Sequence, residues 1–193
     1  IKVLTIIINS NEPREIKDLF NKEAIEVPLD GYDMLLYTNA GKLPIERKKI
    51  PSDLLASVSD GRLYREIQAM RRESKICIVL LHGTFNFRKD GTLVMYGKRK
   101  DRWNKKSIRN LLRALPFEEG VYVEQAETDE ELVEVVEELQ AYFDKDKHLS
   151  LYSRPTIATN WIVPTKTERT VYFYRGISGL GLMRAKKLSE YFP

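Results

Sequence analysis

Segments with the apolar pattern of β-strands alternate along the chain with segments of helical spacing, and a strand segment comes first. Residues 2–8 (KVLTIII) and 75–81 (KICIVLL) are nearly continuous apolar runs, which predict buried β-strands. Three further runs predict strands, with NAGK as the turn of a hairpin between the last two: residues 24–29, 33–38 and 43–48.

Segments whose apolar residues have helical spacing lie between these strands. Residues 53–73 predict one helix that can bend at Gly61. The remaining predicted elements are a short helix after Pro13, a hairpin at 85–97, a helix at 106–115, a strand at 120–125 and a helix at 129–143. Because strands and helices alternate, the sequence predicts an α/β fold with a mixed sheet flanked by helices.

The periodic pattern stops after residue 143. Residues 144–170 are rich in Pro, Thr and Ser, which predicts a linker or a strap over the surface. Helical character returns in residues 171–193. The chain is therefore expected to contain an α/β domain at 1–143, a linker or strap at 144–170 and a small helical element at 171–193.

Composition and charge indicate where the protein is located and which class of partner it can bind. Apolar residues make up 42% of the 193 positions and charged residues 31%, which is typical of a folded protein. The net charge of +4 permits a polyanionic partner, and seven of the residues 97–109 are Lys or Arg. A single cysteine, Cys77, excludes an internal disulfide, and no signal peptide or membrane-spanning run is found. We expect no membrane partner and an intracellular location, cytoplasmic or, in a eukaryote, nuclear.

Candidate chemistry lies at the end of the strand LPIERK. Side chains two residues apart share a strand face, so Glu46 and Lys48 point to one side and Arg47 to the other. Asp33 begins the preceding strand of the hairpin, where its carboxylate can approach that of Glu46. Two carboxylates can hold Mg²⁺, which polarises a phosphate and activates a bound water that Lys48 would position. The alternative is a solvated strand end without chemistry.

Asp53 follows this strand at the start of the next helix. Its carboxylate can support a metal through an outer contact. It can equally serve only the helix, because an acid in the first turn is favoured by the helix dipole. Arg62 and Arg65, on the helix behind Asp53, are expected to contact phosphate if that helix borders the cleft.

The C-terminal segment ISGLGLMRAKKL (177–188) matches the pattern of a helix-hairpin-helix. Gly179 and Gly181 allow a tight turn and a close approach to phosphate, which the amides at the start of the following helix receive. Arg184, Lys186 and Lys187 add positive charge that holds a DNA backbone without reading its sequence. An ordinary helical turn, with its apolar residues packed inward, is the alternative.

Residues 45–70, IERKKIPSDLLASVSDGRLYREIQAM, resemble the core of the XPF-type structure-specific nucleases. The family signature is Gly-Asp, a variable stretch, Glu-Arg-Lys, a short spacer and Asp, followed by a helix-hairpin-helix. The resemblance implies a restriction-endonuclease-like fold, a DNA-repair endonuclease that cuts branched, flapped or forked DNA, Mg²⁺ dependence with Mn²⁺ as a substitute, and a homodimer through the nuclease domain. It assigns catalytic roles to these residues, the first two as metal ligands: Asp33, Glu46, Arg47, Lys48 and Asp53.

The sequence departs from this pattern in three places. It reads GYD instead of Gly-Asp, which makes Asp30 a rival of Asp33, and the spacer before Asp53 is one residue longer. The first strand of the family ends in Asp-Ser/Thr-Arg-Glu. Here Asn9 takes the place of the Asp and Asn11 that of the Arg, while Glu12 remains.

With Asn9 in place of the Asp, the sequence is compatible with an active nuclease and with a weakened or inactive one. An amide oxygen can serve as a third metal ligand but supplies no negative charge. The alternative function is therefore a catalytically weakened or inactive module that binds DNA junctions on the same scaffold. A more remote alternative is a restriction-like nuclease that cuts plain duplex DNA. Cys77 is expected to be a core thiol, and His82 and His148 are not expected to bind a catalytic metal.

Overall fold

A computed structural model describes residues 6–20, 24–95, 103–145, 165–177 and 179–192. The chain divides into two compact units, residues 1–146 and 147–193. Within the described residues no helix is long and apolar enough to cross a lipid bilayer.

The first unit is built on one mixed sheet with the strand order β2-β1-β3-β4-β5-β6. Strands β1 and β2 are parallel, β3 is antiparallel to both β1 and β4, and β4, β5 and β6 are parallel. The strands are β1 (Ile6–Asn9), β2 (Ala24–Val27), β3 (Met34–Thr38), β4 (Gly41–Lys49), β5 (Ile78–His82) and β6 (Tyr122–Ala126).

Among the described residues, five helices belong to the first unit and two to the second. Those of the first unit are α1 (Arg14–Leu19), α2 (Ser52–Ser59), α3 (Arg62–Glu73), α4 (Lys105–Phe117) and α5 (Asp129–Phe143). Those of the second are α6 (Lys166–Arg175) and α7 (Leu182–Tyr191).

Alternation along the strands divides the core into two layers. Leu43 and Ile45 of β4 point into a layer that α1 and α5 cover, together with Ile78 and Leu80 of β5. On the opposite side of the sheet, an apolar layer under α2, α3 and α4 contains Leu54, Leu63, Val79 and Leu115, among others. We call these two sides the α1/α5 face and the α2–α4 face. Apolar burial on both sides fixes the strand register, because a slip by one residue would exchange the faces.

The predicted α/β fold, a mixed sheet flanked by helices, is confirmed. The predicted helix 53–73 is two helices, α2 and α3, which separate at Gly61 in the left-handed region (φ +70°). The hairpin expected at 85–97 is short: Phe87 and Leu93 form an antiparallel bridge, and backbone hydrogen bonds join Arg88 N to Thr92 O and Val94 N to Asn86 O. Its last two residues lie outside the described part. Residues 1–5, which include most of the predicted first strand, are also outside it.

The second unit begins its helical structure earlier than the sequence predicted. Helix α6 starts at Lys166, inside the segment assigned to the linker or strap, because Thr165 and Glu168 form a capping box there. Within that segment, residues 146–164 lie outside the described part of the chain.

Candidate active site

Three polar side chains form a row across neighbouring strands at one edge of the sheet. Backbone hydrogen bonds from Asn9 to Asp33 (2.8 Å) and from Asp33 to Ile45 (3.1 Å) continue the antiparallel pairing beyond β3. This register brings Asn9, Asp33 and Glu46 side by side on the α2–α4 face. Asn9 and Glu46 are buried, and Asp33 is half-buried. Asp30, the rival of Asp33 in the sequence, is exposed and lies outside this row.

The surroundings of the two carboxylates of the row disfavour their ionised forms. Burial, with a further contribution from the charge of Glu12, raises the pKa of Asp33 to about 7, although the Arg47 backbone N–H donates to Asp33 Oδ2 at 2.9 Å. Burial and then the charge of Asp33 also raise the pKa of Glu46. A cation bound between the two carboxylates would offset both effects.

Lys48 lies beside this pair with its ammonium held by acids. It is only 2% exposed, and its Nζ is 2.5 Å from Glu46 Oε1 and 2.7 Å from Glu66 Oε2. Asp53 Oδ2 is farther away, at 4.0 Å. Burial alone would lower the pKa of Lys48, but its contacts with Glu46 and Glu66 outweigh burial and raise it. Lys48 is therefore a fixed cation within the site.

Sequence reasoning missed Glu66, which α3 contributes to this cluster. The apolar residues Leu63, Ile67 and Met70 form the buried stripe of α3, and Glu66 lies on the same side of the helix at position i+3 from Leu63. An acid on the core-facing stripe of an amphipathic helix needs a buried partner. That position was the available signal, and Lys48 is the partner.

Arg47 points away from the other predicted catalytic residues. On the α1/α5 face, its Nε and Nη2 contact Glu12 Oε2 at 2.8 and 2.7 Å, and its Nη1 is 3.5 Å from His82 Nδ1. His82 Nε2 in turn lies 3.1 Å from Asp129 at the start of α5. The Arg47 side chain thus links Glu12, which follows β1, to His82 at the end of β5. Its backbone N–H orients Asp33.

The acids and arginines at the start of α2 and α3 pair with each other. Arg62 Nη2 is 3.3 Å from Asp53 Oδ1, and Arg62 Nε is 3.5 Å from Asp60. Arg65 is exposed one turn after Gly61. Asp53 therefore borders the site at the outer side of Lys48, and Arg62 holds it there.

Asn9 uses its side chain for local hydrogen bonds. Its Nδ2 donates to the backbone carbonyls of Leu29 and Tyr32, both at 3.0 Å, and its Oδ1 accepts from the Asn11 N–H at 3.2 Å. The two carbonyls fix the orientation of the amide, because only its NH₂ group can donate to them. Asn9 therefore ties the end of β1 to the segment that leads into Asp33.

Comparison with known proteins then decides the family. The sequence matches the ERCC4 domain family over residues 10–139. The chain belongs to this family. An XPF from Aeropyrum pernix is similar in fold, with a TM-score of 0.56 and 18% identity, over 97% of this chain and 80% of that one. A second structure of XPF from Aeropyrum pernix, in complex with DNA, gives a TM-score of 0.52 and 19% identity over the same shares. None of the curated proteins compared with the sequence matches it.

The family match confirms the resemblance to XPF-type nucleases. It includes Asp33 and Glu46 of the row, whereas Asn9 lies one residue before the first matched residue. ERCC4 domains belong to structure-specific DNA nucleases. The fold of the first unit agrees with the likeness to the Aeropyrum pernix structures.

The donor set of this ERCC4 domain fits a magnesium ion held in the manner usual for phosphate chemistry. Mg²⁺ commonly takes one or two carboxylates and completes its shell with water and substrate phosphate. In the described chain, Asp33 uses Oδ2 and Glu46 uses Oε1 in hydrogen bonds, so Asp33 Oδ1 and Glu46 Oε2 are the oxygens open to a metal. No cluster of three or more His, Cys, Asp or Glu side chains suited to a metal occurs among these residues. The site therefore fits a two-carboxylate ion and does not fit an all-protein metal cage.

The predicted DNA-binding residues of the C-terminal segment surround the turn before α7. Gly179 has φ +80°, which favours glycine, and Gly181 is the residue before the first turn of α7. Arg184, Lys186 and Lys187 are exposed on α7, and Arg184 Nη1 lies 3.5 Å from the Gly179 carbonyl. Residue 178 is outside the described part. Of the three cations, Arg184 lies beside the glycine turn, and Lys186 and Lys187 follow on the same helix.

Proposed function

We propose that this ERCC4 domain protein is a Mg²⁺-dependent endonuclease that cuts branched, flapped or forked DNA near the junction of duplex and single strand. The observation that carries the proposal is the buried Asp33–Glu46 pair beside Lys48, on the face of an ERCC4 domain. A cation between the two carboxylates would offset the burial and repulsion that raise their pKa values, and a phosphodiester substrate would supply the remaining oxygen ligands.

Each side chain has a distinct role in this proposal. Asp33 and Glu46 would hold Mg²⁺, or Mn²⁺ in its place, and the ion supplies polarisation of the phosphate and activation of a bound water. Lys48 places a positive charge where negative charge develops on the phosphate and orients the attacking water. Asp53, 4.0 Å from the Lys48 Nζ, would support the metal through an outer contact, and the Arg47 backbone N–H holds the Asp33 carboxylate in place.

A basic stripe on α4 provides a surface for the DNA backbone. Lys106, Arg109 and Arg113 are exposed, and their spacing of three and four residues places them along one side of the helix. The helix itself contains no acid. Only a short connection, 118–121, separates the end of α4 from the start of β6. The helix therefore begins near the C-terminal ends of the parallel strands, where Glu46 and Lys48 lie.

The second unit is proposed as a helix-hairpin-helix that grips the duplex beside the junction. Its turn at Gly179 and Gly181 and the three cations of α7 support this role. The Aeropyrum pernix XPF that resembles this chain was determined in complex with DNA. Dimerisation through the nuclease domain and a role in DNA repair complete the proposal.

Cleavage of labelled forks tests the proposed activity. We expect nicking of fork and flap DNA with Mg²⁺ or Mn²⁺, none with EDTA, and much slower cutting of unbranched duplex of the same sequence. Cutting of plain duplex at fixed sites at the same rate as forks would contradict structure specificity and favour the restriction-like alternative.

Asn9 supports a second candidate, a module that binds DNA junctions without cutting them. Its amide is engaged by Leu29, Tyr32 and Asn11 and adds no charge to the site, so the ion depends on two carboxylates only. This candidate predicts tight binding of forks with no product under any divalent metal. Robust metal-dependent nicking excludes it.

Removing the basic stripe is expected to weaken DNA binding in a salt-dependent way. Each phosphate contact contributes about 0.9 to the magnitude of the slope of log K against log salt, so replacing Lys106, Arg109 and Arg113 by Gln should reduce that magnitude by about 2.7 if all three contact phosphate. Equilibrium binding of a labelled fork over a KCl series measures the slope, and the cutting rate at saturating protein should stay near that of the unmodified chain.

The matched control removes three cations that already pair with acids on the first unit. Arg14, Lys17 and Lys42 contact Asp18, Glu26 and Glu73. Their replacement by Gln removes the same total charge and should leave the slope within about half a unit of the original value. Equal loss of slope in both triple variants would show that only net charge matters and that the stripe is not a DNA contact.

A further inference from the structure

The ammonium of Lys48 lies between two carboxylates that come from different parts of the fold. Glu46 belongs to the same strand, two residues earlier, whereas Glu66 reaches Lys48 from α3. The two contacts, 2.5 and 2.7 Å, have similar lengths, and all three side chains are largely removed from water, at 2%, 4% and 14% exposure for Lys48, Glu46 and Glu66. The Lys48 ammonium therefore forms ion pairs with both carboxylates.

The double pairing matters because Glu46 is also a proposed metal ligand. An ammonium bound to Glu46 alone would neutralise it and repel a divalent cation from the neighbouring position. With a second acid on its other side, the trio of Glu46, Lys48 and Glu66 keeps one net negative charge when all three are ionised. Together with Asp33, the site then carries enough negative charge to attract a divalent ion.

The hydrogen bonds agree with an electrostatic role for Glu66. Lys48 makes a directed hydrogen bond to Glu46 Oε1. Its Nζ also lies 2.7 Å from Glu66 Oε2, a buried oxygen for which no other partner is found in the described chain. Glu66 thus draws the ammonium toward α3 through charge while Glu46 supplies the directed bond.

We propose that Glu66 is a positioning residue that holds Lys48 away from the metal side of Glu46 and maintains the negative charge for the divalent ion. The inference rests on the proposed function of the same site. It assigns Glu66 no contact with the substrate. Its effect on metal affinity is independent of whether the protein cuts DNA.

The test compares Mn²⁺ affinity in Glu66→Gln and Glu66→Ala, measured on the full chain without DNA by electron paramagnetic resonance of free Mn²⁺. Glutamine keeps the shape of the side chain and an oxygen for Lys48 but removes the charge. Changes to residues that support metal ligands usually cost 10- to 100-fold in affinity, so we expect both variants to bind Mn²⁺ about tenfold more weakly. Melting temperature is recorded alongside to confirm folding.

Glu73→Gln is the control, because Glu73 is on the same helix and pairs with Lys42 at 2.7 Å on the surface. It should bind Mn²⁺ as the unmodified protein does. Glu66→Asp retains the charge and should recover part of the affinity. On fork DNA, Glu66→Gln should lower kcat about tenfold and leave KM unchanged, since Lys48 and the ion act on the reacting phosphate.

Two results would overturn the inference: unchanged Mn²⁺ affinity in a folded Glu66→Gln variant, or equal loss in Glu73→Gln. If Glu66→Ala does not fold, the isosteric Glu66→Gln variant alone decides. If the unmodified protein cuts no branched DNA, the proposed activity fails, but the Mn²⁺ comparison still decides the role of Glu66.

Discussion

We expect Glu46→Gln to lower the rate of fork cleavage by at least about 10³-fold while the protein remains folded. The substitution removes one of only two carboxylates proposed to hold the ion, yet glutamine keeps an oxygen for the Lys48 ammonium. Single-turnover cleavage of labelled forks at saturating Mg²⁺ measures the rate. Urea denaturation measures the free energy of unfolding.

Stability should move in the opposite direction to activity. Burial and the charge of Asp33 raise the pKa of Glu46, so its ionised form is unfavourable without a metal. A neutral amide relieves this repulsion, and in EDTA we expect the free energy of unfolding to rise by about 1 kcal/mol. This opposition separates a functional carboxylate from one that merely supports the fold.

Glu124→Gln is the matched control on another strand of the same sheet. Glu124 is exposed on β6, away from the row of site residues. Its replacement should change neither the cleavage rate nor the unfolding free energy beyond about 0.5 kcal/mol. Full activity in Glu46→Gln would remove Glu46 from the metal site and with it the proposed arrangement.

Asn9→Asp is expected to destabilise the metal-free protein by about 3 kcal/mol. An aspartate at this buried position loses both hydrogen bonds to the carbonyls of Leu29 and Tyr32 and places a carboxylate against their oxygens. It also adds a third negative charge to the row beside Asp33 and Glu46. Chemical denaturation in EDTA gives the change.

Magnesium should recover part of the stability that Asn9→Asp loses, because a third carboxylate at the site increases the attraction for a divalent ion. Asn11→Asp, at an exposed position two residues later, controls for the added charge and should cost less than about 0.5 kcal/mol. An Asn9→Asp protein as stable in EDTA as the unmodified chain would show that the Asn9 hydrogen bonds do not tie β1 to the following segment.

Alternation along β4 was sufficient to predict which side chains of the candidate site share a face of the sheet. The two-residue period separates Glu46 and Lys48 from Arg47, and the structure places them on opposite faces of the sheet. The hairpin predicted from NAGK brings Asp33 beside Glu46 in register. These features are local, so the sequence within one hairpin determines them.

Contacts between distant segments were not predictable in the same way. The Lys48–Glu66 pair joins a strand to a helix that the sequence presented as continuous with α2, and its geometry depends on the break at Gly61. Asn9 was interpreted through its missing charge. Its donated hydrogen bonds depend on how the segment before Asp33 passes the end of β1, which no periodicity in the sequence encodes.

The start of α6 was also not predicted from the sequence pattern. The composition of residues 144–170 predicted an irregular segment, but the Thr165–Glu168 capping box begins a helix at Lys166. A capping signal of four residues outweighs the composition of the longer segment that contains it.

Anomalous diffraction from crystals grown with Mn²⁺ would locate the ion. We expect a single strong manganese peak between the carboxylates of Asp33 and Glu46, within about 2.0–2.2 Å of one oxygen of each, as is usual for hard divalent ions of this size. A protein that cuts forks with Mn²⁺ but binds the ion elsewhere, with no peak between Asp33 and Glu46, would contradict the proposed site.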